Sequence, residues 1–474
     1  MKEIINEITT IFSAAEEDTS RIYEEKEHEV RGKFDRDRDR ILNSRAFRRL
    51  TGKTQVFLSG QDEHLRNRMT HTLEVSQVAR SIAKALGLNE RLAEASALGH
   101  DLGHTPFGHV GERTLNYIMN GCDTIRDFSD SLVTGQGFKH NWQSIRVVTQ
   151  LEKYNEYQGL NLTKYTLWGI LNHCGLAYRG CENRMEGSNK CMLRREGKTC
   201  HKADRKFSLD FYSKYTEFID PEDITIEGLI VWLSDQIAQR HHDVEDALET
   251  NVISFNELYG KIGELYVSDG NRKAYEIILD YHDEEVRIAR LGSFVVNLLT
   301  QNAIDNIKKY LCSIIKEKQL SSREDFLNMK KDEGFRRELK ENIYLDNSMR
   351  KQDEKFQKYI CNRILNSYKA QSMDGKGNYI IRQLFKAYII NPQRLPDKTI
   401  KVLFRTLQSG NIIEKDFNIG NVGDCRERLN ILHSSDDMSY KNILMRTVCD
   451  FIAGMTDRYA ISIYSDLYEA VQLS

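Results

Sequence analysis

The sequence predicts an all-α fold: a helical core followed by additional C-terminal helices, with little or no sheet. Three observations predict it. Only four prolines (Pro106, Pro221, Pro392, Pro396) occur in 474 residues, so few positions are closed to a helix interior. Leu, Ile, Glu, Lys and Arg, which helices tolerate or favour, are abundant. Apolar residues also recur every three or four positions: Val75, Val78, Ala79, Ile82 and Leu86 form one stripe, and Leu229, Leu233 and Ile237 another.

In chain order, residues 1–28 read as an N-terminal extension, 29–250 as the core with a cysteine-rich basic insert at about 174–206, and 251–474 as a helical C-terminal region. The arginine-dense stretch 29–57 carries Ile41, Leu42, Phe47 and Leu50 at near-helical spacing, as a solvated helix face or a phosphate clamp would. A helix is expected from His71, closed by Gly87. Asn89 suits the N-cap of a second helix, which runs to His100 and Asp101 before Gly103, Pro106 and Gly108 break the pattern. A third starts near His109, and a later one covers about 225–250. No internal repeat or low-complexity linker is visible.

Charge narrows the function classes. With 68 Lys and Arg against 70 Asp and Glu, the net charge of -2 describes a soluble surface, not the strongly basic balance of a dedicated nucleic-acid binder. No apolar run approaches the roughly 20 residues of a bilayer span, and the acidic first twenty residues lack a signal pattern, so a cytoplasmic protein with no membrane partner is expected. Nine cysteines then read as reduced thiols rather than a disulfide framework. Four of them, Cys174, Cys181, Cys191 and Cys200, lie with His201 in the basic insert, as either a structural zinc site or ordinary thiols in a loop that serves a polyphosphate or nucleic acid.

His71, the adjacent pair His100-Asp101 and Asp235 offer two imidazoles and two carboxylates, a mixed set suited to one divalent cation with positions left open for water and a phosphate oxygen. The block HDLGHTPFGHVGE (100–112) adds His104, a candidate phosphate contact, and places His109 and Glu112 as i, i+3 neighbours. A carboxylate beside an imidazole raises its basicity and fixes its orientation, so this pair suits proton transfer. Asp235, Gln239, Asp243 and Asp246 fall on one polar helical stripe.

These residues, with the strings SRAFRRLTGKTQVF (44–57), RNRMTHTLEVSQVAR (66–80), LSDQIAQRHHDVEDA (233–247) and VCDFIAGMTDRYA (448–460), resemble the dGTPase-like deoxynucleoside triphosphate triphosphohydrolases of the HD superfamily. The resemblance implies cleavage between the 5′ oxygen and the α-phosphorus, giving deoxynucleoside and triphosphate. It implies a cation (Mn, Mg or Fe, with Zn an alternative) on His71, His100, Asp101 and Asp235, and His109 with Glu112 as the catalytic pair. It further implies Arg68 on phosphate, Gln55 on the nucleoside, Asp243 on the sugar 3′ hydroxyl, and His173 either lining the site or packed in the core. At Gln239 the family usually carries a tyrosine under the deoxyribose, which leaves sugar and base preference open. Family members form homo-oligomers, so Asp457, Arg458 and Tyr459 fall at a subunit contact, a regulatory nucleotide site or an internal helix junction. Other readings are an HD phosphohydrolase of monophosphates or alarmones, and a nucleotide sensor or single-stranded nucleic-acid binder with a vestigial site.

Overall fold

The structure, a computed structural model, describes residues 2–55, 66–122, 136–154, 157–178, 207–435 and 437–468. Among these the ordered elements are helices, and extended segments pair only as isolated bridges such as Thr54 with Asn67, so the chain is all-α as expected. No helix among the described residues is long and apolar enough to cross a membrane.

The helix expected from His71 begins one turn earlier, spanning Arg68–Leu86. Asn67 sets that start: its side chain accepts from the Thr70 amide at 3.0 Å, satisfying one of the donors a helix N-terminus leaves open. Gly87 ends the helix in the left-handed region at φ 71°. Asn89 caps the next helix, Glu90–Gly99, by accepting from the amides of Arg91 and Leu92. His100 and Asp101 follow immediately, in the turn. Gly103 is required there, because a Cβ would collide with the backbone of His140 and Ser144. Phe107 and Gly108 then both turn left-handed, at φ 60° and 58°, to launch the helix Gly108–Met119. The later helix spans Ile226–Glu249, capped by the Thr225 hydroxyl.

Two apolar cores flank the HDLGHTPFGH turn. In the first, the Arg68–Leu86 helix packs against Glu90–Gly99 and Ile226–Glu249, burying Val75, Ala79, Ile82 and Leu86 against Ala93, Ala97, Leu233 and Ile237. Fully burying one such aliphatic side chain contributes about 1.5–3 kcal/mol, so the stripe read in the sequence is what fixes the helix against its neighbours. The second core packs Phe107, Leu115 and Ile118 against Ile381, Phe385, Leu444 and Val448 of the C-terminal helices.

Two segments left open in the sequence resolve into internal structure. The arginines of Lys33–Asn43 are tied up within the fold: Arg36 and Arg40 both bond Glu25, Arg40 also donates to the Leu160 and Asn161 carbonyls, and Arg38 pairs with Asp39. These three are engaged with partners within the fold, whereas Arg45 and Arg48 of the same arginine-dense stretch are exposed. Asp457, in the C-terminal motif, is buried and accepts from the Thr54 and Phe107 amides, both at 2.9 Å. It locks the C-terminal helices to the turn, whereas Arg458 and Tyr459 beside it are exposed.

Candidate active site

The fold brings His71, His100, Asp101 and Asp235 together from two helices and one turn. His71 Nε2 lies 3.0 Å from Asp235 Oδ1, and His100 Nε2 lies 3.4 Å from Asp101 Oδ1 and 4.0 Å from Asp235 Oδ1. His71 and His100 are each 1 % exposed. His100 Nδ1 donates to the Ala97 carbonyl at 2.6 Å, which fixes the tautomer and turns Nε2 inward, where this buried nitrogen has no hydrogen-bond partner. Burial depresses the His100 imidazole to about 4 despite the nearby Asp101 charge, so it is a neutral donor at physiological pH. Burial alone would raise the Asp235 carboxyl, but the His71 hydrogen bond and the surrounding histidine charges together outweigh it and hold the group at about 2. Two imidazoles and two carboxylates around one orphaned nitrogen fit a divalent cation.

Behind His71 stands a relay that the sequence reading did not assign. His71 Nδ1 meets His242 Nδ1 at 3.2 Å, and His242 Nε2 meets Glu74 Oε2 at 2.6 Å. Its signal was present: His242 lies two turns beyond Asp235, and Glu74 nearly one turn beyond His71.

Arg68 is 2 % exposed, and its Nη1 donates to Asp101 Oδ2 at 2.6 Å, while Nε and Nη2 are buried without partners. His104 Nε2 lies 3.4 Å from Asp101 Oδ1, and its Nδ1 is likewise unpartnered. Burial, with the Arg68 charge adding to it, holds the His104 imidazole well below its usual range.

The His109-Glu112 pair is looser than i, i+3 spacing suggested: His109 is exposed, and its Nδ1 lies 3.7 Å from Glu112 Oε2. Glu112 is held more closely by His140, whose Nδ1 donates to Oε2 at 2.8 Å, and by the Tyr178 hydroxyl on Oε1, also at 2.8 Å. Burial would raise the Glu112 carboxyl, but the His140 charge, hydrogen bonds from His109 and His140 and the Lys139 charge together override it and keep the group well below the usual range. His140 stacks on His104 with ring centroids 4.0 Å apart. Neither His140 nor Tyr178 belongs to a spacing that marks it in the sequence; only folding delivers them. His173 is buried and lines the cluster, its ring centroid 5.0 Å from that of His100.

Gln55, Gln239 and Asp243 form a chain: Gln55 Nε2 donates to Gln239 Oε1 at 2.8 Å, and Gln239 Nε2 to Asp243 Oδ1 at 2.7 Å. Asp243 Oδ2 and Asp246 Oδ1 remain buried and unpartnered. Of the candidate zinc residues, Cys174 lies beside His140 and His173, while Cys181, Cys191, Cys200 and His201 lie outside the described residues. Beyond the Leu102-Gly103 turn, a separate cavity of about 320 Å³ is lined by Arg45, Arg49, Lys153, Lys398, Lys401 and Arg405 among others.

A helical fold that gathers two histidines and two aspartates in this way is an HD-domain phosphohydrolase, and residues 68–240 match the HD domain model while 343–408 and 433–466 match the phosphohydrolase-associated domain. Proteins named deoxyguanosinetriphosphate triphosphohydrolase-like are similar over nearly the whole length. One from Leptospira interrogans is 33% identical over 94% of this chain and 92% of its own. Another from Geobacter metallireducens is 31% identical over 96% and 93%, and one from Rickettsia canadensis 32% identical over 94% and 96%. The chain belongs to this deoxyguanosinetriphosphate triphosphohydrolase-like family.

Proposed function

We propose that the chain hydrolyses deoxynucleoside triphosphates to deoxynucleoside and inorganic triphosphate in a reaction that depends on a divalent cation. The observation that carries this reading is the buried convergence of His71, His100, Asp101 and Asp235 beside the unpartnered donors of Arg68. A cation on those four residues, Mn, Mg or Fe, supplies Lewis-acid polarisation of a phosphate oxygen.

The chain's own groups do the rest. Arg68 keeps Nη1 on Asp101 and offers Nε and Nη2 to the triphosphate, a charge-assisted contact of the strong class. His104 is buried with Nδ1 unpartnered, and that nitrogen donates to a second phosphate oxygen when it carries the ring proton. Glu112 is anchored by His140 and Tyr178 and steers His109, which faces solvent and so reaches a proton on the attacking water or the leaving 5′ oxygen. Asp243 Oδ2 accepts from a sugar hydroxyl. Gln239 is braced by Gln55 and Asp243 and presents an amide edge where a tyrosine would present a ring, a surface that tolerates a hydroxyl better than an aromatic face does.

Incubation with each dNTP and NTP, with Mg or Mn, followed by product identification, tests the reading. Triphosphate and deoxynucleoside are the expected products, abolished by Asp101→Ala; orthophosphate from monophosphates would replace the reading with its nearest alternative. A regulatory nucleotide finds support in the cationic cavity behind Gly103. Activation of dNTP hydrolysis by a second nucleotide is expected to weaken in Arg49→Ala and Lys401→Ala; activation undiminished in both would remove that cavity from consideration.

A further inference from the structure

Beside His100, whose ring centroid is 5.0 Å from that of His173, a second group of ligating atoms meets, and its His140 also stands within 4.8 Å of Asp101 and His104. His140 Nε2 and His173 Nε2 lie 3.1 Å apart, and Cys174 Sγ lies 3.5 Å from His140 Nε2. All three atoms are within 4.8 Å of one another. Local structure fixes them: His140 opens the helix His140–Arg146, and His173 is the C-cap of Lys164–Asn172, with Cys174 next in the chain.

The outer edge of each ring determines what its inner edge presents. His140 Nδ1 is 2.8 Å from Glu112 Oε2, and a carboxylate only accepts, so the ring proton sits on Nδ1. His173 Nδ1 is 2.7 Å from the Ile170 carbonyl oxygen, which imposes the same tautomer. Were both rings neutral, they would point bare Nε2 lone pairs at each other across 3.1 Å. That arrangement repels unless a proton or a cation lies between them.

We propose that His140 Nε2, His173 Nε2 and Cys174 Sγ form a second metal site that shares no ligand with the HD set and takes a thiophilic divalent cation of the zinc type. Zinc–nitrogen bonds of about 2.0–2.1 Å and a zinc–sulfur bond of about 2.3 Å, set at tetrahedral angles, put the nitrogens roughly 3.3 Å apart and nitrogen roughly 3.6 Å from sulfur. The observed 3.1 and 3.5 Å fall within the tolerance a metal site allows. Both imidazoles already carry the outer hydrogen bond, one to a carboxylate and one to a backbone carbonyl, that orients metal-ligating histidines. Cys174 is only half-buried, so a fourth position opens outward. The HD set contains no sulfur. A thiolate selects zinc or cobalt over magnesium, so the two sites sort a mixture of cations by softness.

Titration of the purified full chain with cobalt(II), in excess magnesium, reads the site directly, because a thiolate ligand gives a sulfur-to-cobalt charge-transfer band that an all-nitrogen and oxygen site cannot give. The band is expected to saturate at one cobalt per chain, to be displaced by zinc, and to persist in Asp101→Asn. Cys174→Ser and His173→Gln should each abolish it. Cys174→His should lose the band but retain the cobalt, which separates loss of a ligand from loss of fold. A variant with Cys181, Cys191 and Cys200 all replaced by Ser should keep the band. No band in the folded wild type, a band that survives Cys174→Ser or His173→Gln, or one that disappears with the three distal cysteines would overturn the site. The first of these outcomes leaves a proton, held by His140 as imidazolium, as the occupant of the gap.

Discussion

Two regions of the molecule are dense in buried charge, and they differ in whether that charge is satisfied. Around the Lys33–Asn43 helix, Asp37 accepts from Arg21 at 2.5 Å, from the Thr163 amide at 2.9 Å, and from the hydroxyls of Thr163 and Thr166 at 2.6 and 2.7 Å. Glu25 is filled in the same way by Arg36, Arg40 and Asn161. In the histidine pocket, by contrast, His100 Nε2, His104 Nδ1, Arg68 Nε and Nη2, Asp243 Oδ2 and Asp246 Oδ1 are buried with nothing bonded to them. An unmade bond of this kind costs about 1–3 kcal/mol per group, so the pocket is held open at the expense of stability and recovers it when a ligand arrives. Charge density alone did not distinguish scaffold from site; residual bonding capacity does.

The contrast breaks most sharply if the two regions respond alike to loss of an aspartate. Asp101→Ala is expected to lower dNTP turnover at least a thousandfold, about 4 kcal/mol in the barrier, while the protein stays folded by circular dichroism. Asp37→Ala, which strands Arg21 and three donors in the interior, is expected to cost about 3–5 kcal/mol in urea unfolding and to leave the manganese affinity of the folded protein unchanged. A turnover defect in Asp37→Ala at a temperature where it is folded would undo the distinction.

A smaller effect sharpens it, through a residue that belongs to the pocket but touches no ligand. Glu74 accepts from His242, which stands behind His71. Glu74→Gln removes the charge that anchors this relay, and manganese affinity is expected to fall roughly 10- to 100-fold by isothermal titration. Wild-type affinity in that variant would make the Glu74-His242 contact purely structural.

How far the sequence could be read follows the same division. The helices were legible because Asn89, Gly87 and the stripe from Val75 to Leu86 act locally, within a turn or two of chain. His71, His100 and Asp101 were singled out by residue type and order, and Arg68 only through the family resemblance. The partners of Glu112 did not: His140 lies 28 residues away and Tyr178 lies 66 away, and no periodicity links them to it. The arginines at 36, 38 and 40 stayed ambiguous for the opposite reason, since their carboxylate partners were nearby but a sequence does not say whether a charge faces a neighbour or a ligand.

A test of another kind lies at the edge of the pocket, where two unsatisfied carboxylates lie one turn apart. Burial, reinforced by Asp243 and Glu249, pushes the Asp246 carboxyl up to about 8. In the unfolded chain the same group ionises near 4, so between about pH 4 and 8 the folded state retains a proton that the unfolded state has released. Stability therefore falls as pH rises through that window, by up to about 1.4 kcal/mol per pH unit, with nothing further lost above it. Asp246→Asn keeps the polar shape and removes the titration. Its unfolding free energy is expected to match wild type near pH 4, to exceed it increasingly toward pH 8, and to run parallel above. An identical slope in both proteins from pH 5 to 8 would mean that Asp246 is ionised in the folded state and has found a partner, and the pocket would then be less open than its geometry indicates.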